Sequence, residues 1–436
     1  MEMNDTEKRI LQIIDEHAGE LQALAEDLFL HAEQGYHEYR TAEVAAEFLR
    51  KCGLEPETGL AITGLRASVG RGEGPNVALI GELDGLACPD HPAANRGYAH
   101  SCGHYAQMTC MLGAALALSD PEVAATLDGT ATFFAVPAEE FQAASVREEV
   151  RREHDVHCGG GKCELLRRGD FDDIDMAVTT HSLMVARESG ADLMLGNSAC
   201  TGFIGKTVTV HGVAAHAAAA PDKGANALNA ACLGMSALGM IRETFREQDC
   251  VRVHPYFREG GQAINVVPSE VIVDMMVRAN TQAVIEEVSE KVNNCFRGGA
   301  LAIGCTCEID DAQGYMPCPE ILPNDLMWET AKLLGDYDVR SIPAGVCNTA
   351  STDVGDLCAV MPVMNFTFGG SVGALHTADY AVSNPDVAHI MPAKMMALLA
   401  YRLLRDGAKG AKDFIAAYRP SMTKEEYKAY CEKMSG

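Results

Sequence analysis

The 436-residue sequence predicts an α/β fold with a mostly parallel sheet, interrupted by an inserted two-layer α+β unit. Three observations carry that expectation. Short apolar runs, partly β-branched and bounded by Gly, Pro or acidic residues, alternate with helix-prone stretches through the first 180 or so positions. From about Gly205 the rhythm becomes β-α-β-α-β, and beyond Pro319 the earlier rhythm resumes.

Element by element, Thr6 to about His31 carries Ile10, Leu11, Ile14, Leu21, Leu24, Ala25 and Leu28 at helical spacing, with Asn4 to Thr6 available as an N-cap. Thr41 to Lys51 reads as a second helix stopped at Gly53. Leu65 to Val69, Val77 to Leu83, Thr130 to Val136 and Asp175 to Thr180 read as buried strands, and Gln107 to Leu118 as a helix of small residues between them. In the insertion, Lys206 to His211, Val271 to Arg278 and Leu301 to Ile309 are extended, while Ala225 to Arg246 and Thr281 to Phe296 are helical. A helix at Asp325 to Leu334, a strand at Val363 to Phe368 and a helix at Ile390 to Arg405 complete the first domain. The expected division is therefore residues 1–198 with 313–436, and an insertion at 199–312.

Composition narrows the function. With 47% hydrophobic and 22% charged residues the chain is a folded globular protein and not a disordered one. Lys and Arg number 35 against 61 Asp and Glu, a net charge of -26 that repels phosphate backbones and anionic lipid. Neither nucleic acid nor membrane is expected as a partner. No apolar run approaches the ~20 residues of a membrane helix and the N-terminus has no signal pattern, so a cytoplasmic location is expected. The sixteen cysteines are scattered and read as reduced, buried small residues, and Cys305-Thr306-Cys307 fits no metal or redox motif.

The residues that carry chemistry gather at predicted strand ends, where ligand sites of open parallel sheets lie. Val77 to Leu83 delivers Asp84, Thr132 to Val136 delivers Glu139 and Glu140, and Met176 to Thr180 delivers His181. Cys102 and His104 stand just before a helix start, where the helix dipole favours a thiolate. Taken singly, Asp84 or Glu140 reads as a cap or a solvated charge, His181 as a satisfied core histidine and Cys102 as a small buried residue. Together they read as a site for a pair of divalent metals and a hydrolytic base, because burying several unpaired ionisable groups side by side is costly without a cation. His154-Asp155-Val156-His157-Cys158 has ligand types but follows a charged run and reads as solvated helix and loop. His216, before Ala217 to Ala220, lies in a small-residue loop open to close approach.

These residues resemble the M20 metallopeptidase family, in its amidohydrolase branch of aminoacylases, auxin-conjugate hydrolases and p-aminobenzoyl-glutamate hydrolase. The resemblance runs from about Glu26 to Leu404 and is carried by Glu38 to Thr41, His100 to His104, Pro137 to Glu140, Gly212 to Ala227, Gly260 to Pro268 with Arg278, and Ser351 to Gly355 with His376-Thr377. It implies a zinc-peptidase-like catalytic domain with a ferredoxin-like lid, and a homodimer formed through that lid. By the same resemblance Cys102, His104, Glu140, His181 and His376 hold two divalent metals, with Cys102 bridging. The soft thiolate and imidazoles favour Zn, with Mn or Co as alternatives. Glu139 becomes the general base, His216 stabilises the oxyanion, and Asn265 and Arg278 bind the substrate carboxylate. The implied activity is hydrolysis of an N-acyl or N-aroyl amino acid amide, a small-molecule substrate; a dipeptidase and a non-catalytic metal-binding subunit are the alternatives. Three departures stand out: Tyr105 where relatives usually carry Asp or Asn, Gln107 near where some have a second His, and a longer stretch from about Phe141 to Cys158 at the expected mouth of the site.

Overall fold

The computed structural model describes residues 3–183 and 190–435. Its chain forms two units, the first from Met1–Ser198, Glu320–Val346 and Asp356–Ala429, the second from Ala199–Pro319, Cys347–Gly355 and Tyr430–Gly436.

The first unit opens with α1 (Asp5–Glu16) and α2 (Ala18–Leu30), where the sequence suggests one continuous helix. Asn4 caps α1 in a reciprocal box with Glu7, and the His17 ring binds the Ile13 carbonyl at 2.9 Å, closing α1 before α2 begins. Helix α3 (Tyr39–Lys51) precedes β1 (Glu57–Leu60), β2 (Gly64–Gly70) and β3 (Asn76–Glu82). Then come α4 (His104–Leu118), β4 (Thr130–Val136), α5 (Ala144–His154), α6 (Gly161–Arg168), β5 (Met176–Ser182) and β6 (Leu193–Leu195).

The second unit runs β7 (Gly202–His211), α7 (Ala227–Ile241), β8 (Arg252–Glu259), β9 (Glu270–Ala279), α8 (Gln282–Ile303) and β10 (Thr306–Gln313). After it, α9 (Asp325–Ala331), β11 (Val339–Ser341), β12 (Val363–Phe368) and α10 (Met391–Leu404) return to the first unit.

Eight strands of the first unit pair in the order β1-β2-β4-β3-β5-β12-β6-β11. The four central strands β4, β3, β5 and β12 are mutually parallel. From β3 the chain goes to β4 on one side and then crosses to β5 on the other, so β3 lies at a switch point and the carboxyl ends of these strands open a crevice. Helix α4 is buried over nearly its whole surface in the core that this sheet shares with α1, α2 and α10. The helical stretch Asp386–Leu404 is long and apolar enough to cross a membrane by composition, yet 94% of it is buried inside the protein.

In the second unit the order is β8-β9-β7-β10, all antiparallel, with α7 and α8 packed on the sheet through Val208, Val210, Val271, Val273, Val277, Leu238, Val292 and Phe296. The sequence rhythm gives three strands here and the structure has four. The missed strand, β8, lies at a sheet edge and contains Pro255, a residue that edges tolerate and that disguises a strand. The boundaries also move. Segments 347–355 and 430–436, left by the sequence in the first domain, join the second unit, because Cys347–Asn348 pairs in parallel with Ala199–Cys200 and Gln282 donates to the Tyr430 hydroxyl at 3.2 Å.

Candidate metal centre

The crevice of the first unit collects side chains from several places in the sequence. Gly103 precedes α4 with a left-handed backbone (φ +88°), and a Cβ there would stand 2.2 Å from Ser182 Oγ, so only glycine lets Cys102 and His104 turn inward together. Beyond β4, Ala138 also adopts positive φ, and its N–H is held at 2.8 Å by the buried carboxylate of Glu38. That turn presents Glu139 and Glu140. Thr63 donates to the other Glu38 oxygen at 2.6 Å. Burial and the nearby Asp84 charge push the Glu38 carboxyl up to about 8. His181 comes from the end of β5, and His376, with φ +64°, from the long loop after β12.

Within the first unit, three groups of ligand-type atoms lie within 4.8 Å of one another: Cys102 with His104 and His181; Cys102 with Glu140 and His376; and His104 with Glu139 and Glu140. Cys102 Sγ is 3.3 Å from both His181 Nε2 and His376 Nε2, and His376 Nε2 is 3.2 Å from Glu140 Oε1. Each inner histidine is oriented by its other nitrogen. His104 Nδ1 faces the Asp84 carbonyl at 2.9 Å and its carboxylate at 3.1 Å, and His181 Nδ1 faces the Ser182 carbonyl at 2.7 Å. A ring nitrogen against a carbonyl carries a proton, so each ring turns its Nε2 into the crevice, where it becomes a ligand once that nitrogen gives up its own proton to a cation.

The electrostatics fit a cation. Buried His104 Nε2 and Glu82 Oε2 face each other at 3.3 Å and Glu140 Oε1 faces His376 Nε2 at 3.2 Å, none of the three in a well-formed hydrogen bond, and a cation among them would relieve that cost. Burial would raise the Cys102 thiol, yet His181 and His104 outweigh it and bring it down to about 6. The expected thiolate is thus favoured by the two imidazoles. His376 rises to about 10 through its contacts with Cys102 and Glu140. A bound divalent ion displaces such protons and takes over the charge balance.

Asp84 is an orienting group here and not a member of the three ligand groups. Besides holding His104, its second oxygen accepts the Glu140 N–H at 3.0 Å, so one buried carboxylate fixes two of the converging residues. Sequence reasoning missed Glu82 and Lys162. Lys162 Nζ donates to Glu82 Oε1 at 2.6 Å, both side chains being fully or almost fully buried, and Glu82 Oε2 is 3.3 Å from His104 Nε2. Lys162 and His104 overcome the burial penalty and hold Glu82 down to about 2. The available signal was a Glu at the end of an otherwise apolar strand. Among the described residues, the His154 to Cys158 cluster joins none of the ligand groups: His157 and Asp155 pair with each other at 2.8 Å. The Phe141 to Cys158 stretch folds as α5 and flanking loops, with Arg147 4.5 Å over the Phe141 ring and Tyr36 donating to the Cys158 carbonyl at 2.8 Å.

The remaining predicted residues lie in the second unit. His216 bridges to Val266 in antiparallel fashion, and the Ala217 N–H donates to the Asn265 carbonyl at 3.0 Å, which makes His216 and Asn265 neighbours on adjacent segments. His216 Nδ1 accepts the N–H groups of Ala218 and Ala219 at 3.2 and 3.0 Å. Its neutral ring therefore carries the proton on Nε2. Arg278 sits apart from that pair, half-buried on β9, 5.0 Å over the Phe203 ring and donating to Ser351 Oγ at 2.6 Å. Burial lowers its pKa from the ordinary arginine value.

Residues 199–302 match the peptidase dimerisation domain of M20 proteins. Over 399 residues, 87% of this chain and 83% of the relative, the sequence is 29% identical to the mouse (Mus musculus) Xaa-Arg dipeptidase. It is also 29% identical over 314 residues to one of the subunits of the p-aminobenzoyl-glutamate hydrolase of Escherichia coli K12, covering 69% of this chain and 59% of that one. A Bacillus subtilis crystal structure described as a dinuclear metal binding peptidase from the M20 family shares the fold, with a TM-score of 0.64 over 88% of this chain and 98% of the other, at 18% identity. The chain carries an M20 peptidase dimerisation domain, is similar over most of its length to a dipeptidase and an amidohydrolase, and is a hydrolase of amide or peptide bonds.

Proposed function

We propose that this protein hydrolyses the amide bond of an N-acyl or N-aroyl amino acid, of the p-aminobenzoyl-glutamate type, and releases the free amino acid. The observation that carries the reading is the pair of ligand groups that share Cys102, with the buried carboxylate of Glu139 in a third group alongside. In this reading Cys102, His104, Glu140, His181 and His376 would hold two divalent cations. Zn suits the thiolate and imidazoles, and Mn or Co are the alternatives. When bound, the cations supply Lewis-acid polarisation of the amide carbonyl and make a coordinated water more acidic.

Glu139 takes the proton from the attacking water and hands it to the leaving nitrogen, so one carboxylate serves as base and then acid. His216 Nε2–H donates to the oxygen on which negative charge develops, a role that its Nδ1 contacts with Ala218 and Ala219 prepare by fixing the tautomer. Arg278 and Asn265 take the substrate carboxylate, for which a planar guanidinium is suited. The enzyme works in this proposal as a cytoplasmic homodimer joined through the second unit.

A second reading, a dipeptidase acting on a free N-terminal amine, is favoured by the near full-length match to the Xaa-Arg dipeptidase. Amine release from matched N-acyl and free-amine dipeptide panels, with and without chelator, separates the two. Glu139→Gln should lower kcat by roughly 10³-fold while elemental analysis still finds two metals per chain. Turnover at the parent rate in that variant would overturn the assignment.

A further inference from the structure

The segment Ala350-Ser351-Thr352 has no part in the chemistry just described, although Ser351 opens one of the segments that carry the family resemblance. In the structure it belongs to the second unit, brought there by the parallel pairing of Cys347–Asn348 with Ala199–Cys200. Ser351 thereby meets Arg278, 73 positions away in the sequence.

The hydrogen bonds there have a direction. Arg278 Nη1 donates to Ser351 Oγ at 2.6 Å, and a guanidinium has no other role than donor. Ser351 Oγ lies 3.3 Å from Thr201 Oγ1, whose own proton goes to the carbonyls of Thr349 and Ala350 at 3.0 and 3.1 Å. Thr201 is thus left to accept from Ser351, and the order Arg278, Ser351, Thr201, backbone carbonyl ends on the chain segment that carries Ser351 itself. On its other face the guanidinium rests on Phe203, its sheet partner across β7. One side is fixed by a hydroxyl and one by a ring.

The charge of Arg278 is not spent on a carboxylate. Among the described residues it has no carboxylate within ion-pair distance, in a chain with 61 acidic and 35 basic residues. The residue opposite it on β8 is Arg252, a like charge. Two cations facing each other across a ladder destabilise it, and an anion between or beside them relieves that cost.

We propose that Ser351 is a positioning residue that holds the Arg278 fork for a free carboxylate on the substrate, and that this contact sets the preference for substrates ending in a carboxylate over their carboxamides. The proposal rests on the reading of Arg278 as the carboxylate-binding residue. The hydroxyl takes one proton of Nη1 and the weak acceptor Met276 Sδ lies 3.1 Å from Nη2, so the fork is held in one orientation while Nε–H and the second proton of each terminal nitrogen stay available for a carboxylate.

The test uses the full-length, metal-loaded enzyme and the member of an N-acyl amino acid panel that it hydrolyses fastest, together with that compound's carboxamide. For Ser351→Ala the expected result is a KM about ten-fold higher for the carboxylate, with kcat within two-fold. The ratio of kcat/KM between carboxylate and carboxamide should fall by the same factor, and Ser351→Thr, which keeps the hydroxyl, should restore most of it. An unchanged KM in Ser351→Ala, an equal loss on both compounds, or no recovery with Thr overturns the proposal. Arg278→Met serves as the separate arm. If it abolishes the carboxylate preference while Ser351→Ala leaves it intact, the positioning role fails and the Arg278 reading stands; if Arg278→Met leaves the preference intact, the underlying reading fails.

Discussion

Tyr105 stands directly after His104, where the resemblance expects Asp or Asn, and the structure sends it away from the crevice. Its buried ring packs against Phe29, His100 and His389 at 4.9, 5.8 and 5.6 Å, and its hydroxyl lies 3.4 Å from His389 Nε2. The orientation of His104 comes from Asp84 instead, so the departure leaves the held tautomer in place. The cost falls on His389, which burial lowers from 6.5 to about 4. Since the folded protein binds this proton less readily than the unfolded chain, the stability it contributes is present above about pH 6.5 and is lost as pH falls toward 4. The shift corresponds to about 3 kcal/mol. His389→Gln, which keeps a polar group near Tyr105, should flatten this part of the acid limb in urea titrations between pH 7 and 4, reading as about one proton fewer taken up on unfolding. An unchanged slope would refute it.

At the scale of elements, strands with a clean alternation or a β-branched run were legible: the sequence reading of β4 and β12 matches their observed residues. Helix α8 was read too short, ending at Phe296 where it continues to Ile303, because Gly298 and Gly299 look like a stop. Their actual use is close packing. A Cβ on Gly299 would stand 2.6 Å from the Ala230 carbonyl oxygen and 2.7 Å from the Gly234 nitrogen of α7, both rigid backbone atoms, whereas Gly298 has open space. Gly299→Ala should therefore destabilise the second unit by about 1–3 kcal/mol, and Gly298→Ala should stabilise by about 0.5–1 kcal/mol through helix propensity alone. Chemical denaturation of the two variants side by side checks both signs, and a stabilised Gly299→Ala would show that the helices can part freely.

Across the whole molecule, the candidate ligands run from Cys102 to His376, and His376 comes from the part of the chain that returns to the first unit after the second. A cation bound there cross-links distant parts of the first unit, so it stabilises the native state by mass action. Removing metal with a chelator should lower the thermal midpoint, and at metal about a thousand-fold above Kd the stabilisation lost is about 4 kcal/mol. Calorimetry with and without added metal measures this, and a midpoint indifferent to chelation would argue against a metal centre that joins these strands.

The layered α/β pattern, the inserted α+β stretch and the clustering of Cys102, His104, Glu139, Glu140 and His181 at strand ends are written in the chain itself, because strand period and turn chemistry are local properties. Which of the buried charges face one another was settled by tertiary contacts alone. Asp84 turned from possible ligand to orienting group, Glu82 found Lys162 80 positions away, and Ser351 found Arg278 across a domain boundary the sequence had drawn differently. Such pairings follow from sheet order and loop closure, which the spacing of residues along one chain does not encode.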